Sequence, residues 1–241
     1  MKKLLATLAV VSAVAVTSSA FALSIVGTKH DLSSITGLSG LKQPAGGTTQ
    51  VCVFCHTPHN SAKTKALWNR KGATLDSAFR TYTSGIMMEG GAADSWFQGT
   101  TKGQFSAKST SLLCMTCHDG ATTMGGAVLN NNPYSPTTNQ QEPTAIGGTT
   151  GLISTAANLG TDLTNDHPVN IDYDKAVTSV NTARPSSLAQ RDATGKVAGV
   201  LPFQNGIMEC SSCHNVHDNA IKPFLRVSIE GSALCLKCHI K

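Results

Sequence analysis

The sequence predicts an irregular fold, mostly coil with short α-helices and little or no β structure. Three observations predict it. Aromatic residues make up 5% of the chain while glycines number 22. Helical periodicity rises only in short pieces, and strands are not evident. All 8 cysteines fall in Cys-x-x-Cys pairs. Side chains so poor in bulky apolar groups make a thin core, so something else must supply apolar mass.

The chain opens with Lys2 and Lys3, runs through the apolar stretch LLATLAVVSAVAV and reaches Ala20-Phe21-Ala22. A positive start, a short apolar run and a small-x-small site make a secretory signal peptide, so residues 1–22 are read as the leader and 23–241 as the mature domain. The 219 residues that remain (241 − 22) fit one or two domains by length. The apolar run falls short of the roughly 20 residues of a membrane span, and no cysteine follows closely enough to carry a lipid. An exported, soluble protein with no membrane span is expected. Removing Lys2 and Lys3 takes the formal charge from +5 to +3 (5 − 2). That charge is spread without a basic run and gives nucleic-acid binding no support.

The pairs are Cys52-Val-Phe-Cys55-His56, Cys114-Met-Thr-Cys117-His118, Cys210-Ser-Ser-Cys213-His214 and Cys235-Leu-Lys-Cys238-His239. An oxidising compartment ordinarily turns eight cysteines into four disulfides, and CxxC knuckles also build zinc ribbons. Neither explains a histidine directly after every pair. CxxCH is the attachment signature of haem c. Two thiols three positions apart on a helical turn lie on one side of the backbone and each reach one porphyrin edge, while the histidine turns to the iron. Four covalently attached haem c groups are therefore expected, with His56, His118, His214 and His239 as proximal iron ligands.

Of the 8 histidines, this leaves His30, His59, His167 and His217. Four open axial positions and four spare histidines balance, which predicts two histidines on each iron. Methionine is the chemical alternative, and Met87, Met88, Met115, Met124 and Met208 all lie beyond the leader. A ligating imidazole usually donates its other ring nitrogen to a carboxylate or a carbonyl. Asp31, Asp119, Asp166 and Asp218 stand beside expected ligands, either for that purpose or as ordinary solvated acids. His167 lies in Asp166-His167-Pro168-Val169, where proline restricts the neighbouring backbone.

Along the chain, residues 23–51 carry His30 and the turn Ala45-Gly46-Gly47. Half of the Trp, Tyr and Phe residues, namely Trp68, Phe79, Tyr82, Trp96, Phe97 and Phe105, lie between His56 and Cys114. The 91 residues between His118 and Cys210 hold no attachment pair, and NNNPYSPTTNQQEPT there reads as an irregular loop. The last two motifs are separated by 20 residues. CHTPH and CHNVH echo one another, the one internal repetition. A fold organised by its haems follows, in which burial of each porphyrin at about 25 cal/mol per Å² replaces a side-chain core.

His56 and His59 are three residues apart, so on a helix their Cβ atoms lie roughly 5 to 6 Å apart on one face. Ligands of one iron approach from opposite sides, each at about 2 Å. His59 can therefore serve only a neighbouring haem, and His217 stands in the same relation to His214. Two CxxCHxxH segments argue for closely stacked haems.

CVFCHTPH, CSSCHNVH and the Asp-His-Pro-Val segment resemble the exported multihaem c-type cytochromes of metal-respiring bacteria. The resemblance implies a haem-organised multihaem cytochrome c fold that carries electrons rather than catalysing a reaction. In its filament-forming members, it implies protomers stacked end to end, with a histidine of one ligating a haem of the next. The second histidine of the first CxxCHxxH maps onto His59, with His30 as the next candidate. Site 1 near the mature N-terminus and site 4 at the C-terminal end fit such a homopolymer. Other multihaem cytochromes and extracellular metal oxides or electrodes are the implied partners, at the cell surface or outside it. A soluble periplasmic shuttle has the same ligand set. A multihaem reductase needs an open iron and often a CxxCK motif, which does not occur here.

Overall fold

The computed structural model describes residues 25–33, 49–59, 61, 65–70, 79–84, 105–106, 109–122, 153, 156–178 and 188–240. All eight cysteines and all eight histidines lie within them. The signal-peptide reading of residues 1–22, Trp96 and Phe97, Met87, Met88 and Met124, and the loop at 130–144 lie outside the described residues.

Regular structure is short because the apolar runs are short. Helix α1 (Ser111–His118) has Ser111, Met115 and Thr116 buried, and Gly120 at φ +65° supplies the left-handed residue that ends it. The Asp119 carboxylate then accepts from the amides of Ala121 and Thr122 at 3.0 and 2.8 Å, holding the exit turn. Three further helical turns follow: α2 (Tyr173–Thr178), α3 (Cys210–Cys213) and α4 (Cys235–Cys238). A 3₁₀ turn covers Cys52–Phe54. Every attachment pair thus sits on or closes a helical turn, the local geometry expected of the motif.

Extended structure among the described residues is limited to two-residue ladders and single bridges. Strand β1 (Arg80–Thr81) pairs in parallel with β2 (Asp162–Leu163), with an exposed Arg80–Asp162 ion pair across the ladder. Strand β3 (Ile171–Asp172) pairs antiparallel with β6 (Ile207–Met208), and β4 (Lys196–Val197) with β5 (Leu201–Pro202). The irregular, mostly coil fold with short helices and little β structure is what the sequence predicts. Among the described residues no helix is long and apolar enough to cross a membrane.

The core is divided into three clusters, and each touches an attachment segment. Leu32 and Phe54 pack with Val53, Cys55, Cys117 and Ile153. Phe79, Phe105, Met115 and Leu163 close over α1. Ile171, Tyr173, Val197, Leu201, Phe203 and Met208 surround Cys238. In this last cluster the Tyr173 ring lies 4.3 Å from that of Phe203 and its hydroxyl donates to the Ala189 carbonyl at 2.8 Å. Asn170, fully buried at φ +60°, ties two clusters together. Its amide donates to Met208 and its side-chain oxygen accepts from the Ser106 amide.

Clusters of this size bury little area each, and their joint stability depends on what holds them against one another. Chain produced without haem attachment is expected to lack a cooperative, native-like thermal transition. Circular dichroism beside the haem-loaded protein checks this, and a sharp native-like melt of the haem-free chain refutes it.

Candidate haem-binding site

Three of the four motifs use one backbone device. After the helical turn, the histidine amide donates to the carbonyl of the first cysteine: His56 to Cys52 at 2.9 Å, His214 to Cys210 at 3.0 Å and His239 to Cys235 at 2.9 Å. The histidine backbone then forms a single antiparallel bridge with a remote residue, pairing His56 with Trp68, His214 with Leu225 and His239 with Leu188. In each case the residue after the bridge partner donates its amide to the carbonyl of the second cysteine. These bonds run from Asn69 to Cys55 (2.9 Å), Arg226 to Cys213 (2.9 Å) and Ala189 to Cys238 (2.7 Å).

The same segments orient the rings. Two residues before two of the three bridge partners, a carbonyl meets the imidazole Nδ1: Ala66 for His56, and Pro223 for His214 at 3.1 Å. Leu67 and Phe224 occupy the intervening position with φ 47° and 57°. Motif 2 reaches the same end from a full helix, with His118 Nδ1 on the Ala157 carbonyl at 2.7 Å and the Leu159 amide on the His118 carbonyl at 2.9 Å. A carbonyl can only accept, so these contacts put the proton on Nδ1 and leave the lone pair on Nε2, the nitrogen that could then bind a metal. Carbonyls rather than carboxylates hold these rings. Asp31 and Asp119 are buried and accept from nearby backbone amides, including that of Ser33 for Asp31, so neither is an ordinary solvated acid.

No disulfide links the cysteines, and thiols of successive motifs share surroundings or influence one another in chain order. Cys55 and Cys117 pack into one apolar cluster, and burial, followed by the Cys117 charge, pushes the Cys55 thiol up to about 12. Cys114 and Cys210 share a hydrogen bond, which raises Cys114 and lowers Cys210. Burial and then Cys238 push Cys213 up to about 11. Apart from Cys210, these shifts keep the thiols neutral, and burial of that kind suits thioethers, which have no proton to lose.

The histidines are brought together in pairs. The His56 and His217 rings have centroids 6.1 Å apart with planes at 23°, and His30 and His118 are 6.2 Å apart at 87°. His30 also stacks on Phe224 at 4.3 Å, and its Nδ1 is buried without a hydrogen-bond partner. Burial, then the charges of His118, His214 and His217, lower its pKa to about 4, keeping it neutral. His59, His167, His214 and His239 are exposed. His167 Nδ1 contacts the Pro168 carbonyl at 3.0 Å. Among the described residues no three His, Cys, Asp or Glu side chains converge as a bare ion site.

Two buried charged residues that the motifs do not announce stand beside the thiols. Glu209, next to Cys210, accepts from the hydroxyl of Ser109 at 2.7 Å, from the Ser111 amide at 3.2 Å and from the Ser111 hydroxyl. Ser111 Oγ in turn accepts from the Cys210 amide at 3.0 Å, docking the starts of α1 and α3. Arg70 is 1% exposed and acts on both Cys55 and Cys117. Neither residue has a spacing or pattern that distinguishes it in the sequence.

Residues 201–241 match the family model described as the doubled CXXCH motif. No curated protein matches the chain. The paired thiols, the Nδ1-anchored histidines and the facing ring pairs fit a covalently bound haem c in chemistry and arrangement, and the doubled motif carries the association with multihaem c-type cytochromes and electron transfer. Replacing Cys210 and Cys213 by alanine is expected to lower the haem content of the purified protein by one group. Mass spectrometry and the pyridine haemochrome assay read that loss.

Proposed function

We propose that the chain holds four haem c groups with histidine at both axial positions. We further propose that it carries electrons along them and assembles end to end into an extracellular conductive filament. The observation that supports this best is the succession of the thiols: Cys55 and Cys117 line one apolar cluster, Cys114 and Cys210 share a hydrogen bond, and Cys213 lies within electrostatic reach of Cys238. Attachment edges that follow one another in the order 1-2-3-4 favour a continuous row of cofactors over isolated ones. A bound haem supplies a one-electron iron couple. The protein's part would be to hold Nε2 of His56, His118 and His214 toward the metal through the carbonyl on Nδ1, to supply a second histidine to each iron so that no substrate would enter, and to pack apolar side chains beside the thiols.

The ring pairs support a reading of two distal ligands. Imidazoles on opposite sides of one metal, each with a nitrogen about 2 Å from it, have centroids roughly 6.3 Å apart. The separations of 6.1 and 6.2 Å match. This reading sets His217 opposite His56 and His30 opposite His118, leaving His59 and His167 for His214 and His239. His30 is thereby engaged inside its own protomer, which favours exposed His59 as the histidine given to a neighbour. The tetrahaem extracellular filament cytochrome OmcE, which the motifs and ligand census resemble, provides the precedent for a polymer. Metal oxides, electrodes or other multihaem cytochromes would be the acceptors.

The planes of the two pairs differ, at 23° and 87°. Near-parallel imidazoles split the iron π orbitals more than perpendicular ones, so the ferric protein is expected to give two distinct low-spin electron paramagnetic resonance signals. His217→Ala should remove the more rhombic signal and His30→Ala the more anisotropic, each converting one haem in four to high spin. Loss of the same signal in both variants overturns the assignment.

His59→Ala is expected to shorten or abolish filaments seen by electron microscopy and to convert one haem to high spin. Unchanged filaments with all four haems low-spin would overturn its role at the interface. Wild-type particles that are monomeric under all conditions would instead favour the soluble shuttle.

A further inference from the structure

Arg70 and Glu209 are buried charges of opposite sign at successive junctions between attachment motifs. Arg70 is 1% exposed. Its neighbour Asn69 is pinned to motif 1 twice, through its amide to the Cys55 carbonyl and its side-chain nitrogen to the Val53 carbonyl. From there the guanidinium field reaches Cys55 of motif 1 and Cys117 of motif 2. Glu209 is 4% exposed and precedes Cys210 of motif 3. The serines it binds lie at the start of α1, and its charge reaches both Cys114 and Cys210.

A helix-capping carboxylate and a packed guanidinium would account for the local bonds alone. Burial adds an electrostatic consequence, because charges away from water are weakly screened. A haem with two neutral axial ligands carries one more positive charge when ferric than when ferrous. A cation beside it disfavours the ferric state and raises the reduction potential, and an anion does the reverse. Arginine stays charged in any such setting, and every bond at the Glu209 side chain is donated to it, as suits an acceptor-only carboxylate.

We propose that these two residues tilt the potentials along the chain, with Arg70 raising those at sites 1 and 2 and Glu209 lowering those at sites 2 and 3. This rests on haem attachment at these motifs. Site 2 feels both charges, together with buried Asp119 and Asp31, which lie next to His118 and His30. Arg226, bonded to the Ser211 carbonyl at 3.0 Å, is only partly buried and so more screened at site 3. Site 1 accordingly lies above site 3, and electrons run downhill from the C-terminal half of the protomer toward its N-terminal half.

The test is a spectroelectrochemical titration of the haem-loaded full chain, with haem content and the low-spin spectrum recorded first. Glu209→Gln keeps the shape and is expected to move two of the four couples to higher potential. Arg70→Gln is expected to move two couples lower, and Arg70→Lys, which keeps the charge, to stay close to wild type. Shifts of the same sign in Glu209→Gln and Arg70→Gln, or the absence of any shift at normal haem content, would overturn the proposal. If Arg70→Gln does not accumulate, Glu209→Gln and Arg70→Lys decide it, since a wild-type titration for Glu209→Gln or displaced couples for Arg70→Lys would each refute it. Wild-type protein lacking haem altogether would instead overturn the attachment reading, a separate result.

Discussion

In three of the four motifs the histidine directly after the second cysteine leaves the helical turn that presents the thiols, and much of the molecule is arranged around that exit. His214 and His239 have extended backbone (φ −106°, ψ 142° and φ −84°, ψ 112°) at the end of four-residue helices. The histidine amide still bonds back to the first cysteine, but the chain then turns away and leaves the second cysteine's carbonyl without a partner in so short a helix, and backbone groups left without partners are costly once water is excluded. The remote bridge segments supply those partners and at the same time deliver the carbonyl that orients the ring. Linkers such as 65–70 and 221–226 therefore serve as supports for the motifs rather than as mere connections.

The same economy governs packing. None of the three apolar clusters is large, and each includes or covers an attachment segment. Apolar burial is concentrated where a porphyrin would add to it, consistent with a fold in which the cofactor completes the core. The buried polar groups follow suit. Glu209 and Ser111 join α1 to α3 at a junction where two motifs meet, so the bond that sets the spacing of these elements also sets the local field.

Much of this was legible in the residues. The CxxCH spacing implies helical turns, the scarcity of aromatic residues implies little independent core, and the equal count of spare and proximal histidines implies paired rings. What the sequence does not display is long-range. Nothing in Lys65–Asn69 or Ile221–Arg226 announces that both clamp a histidine, because the device works through backbone groups that any residue carries. Leu67 and Phe224 even adopt left-handed φ without a glycine to mark the spot. Likewise, adjacent acids were plausible partners for the rings, yet the carbonyls of Ala66, Ala157 and Pro223 take that position because the clamping strands already bring them there.

The stacking of His30 on Phe224 has a consequence for how the chain matures. The two are 194 positions apart (224 − 30), and His118 lies between them in sequence. A contact that spans most of the chain closes late, since the entropy of a long loop must be overcome before the contact rewards it. Synthesis proceeds from the N-terminus, so His30 is made early and waits for the last quarter of the protein. On the proposed pairing of His30 with His118, maturation of the second site is thereby tied to completion of the third, and a truncated chain would carry His30 without the Phe224 ring that stacks on it.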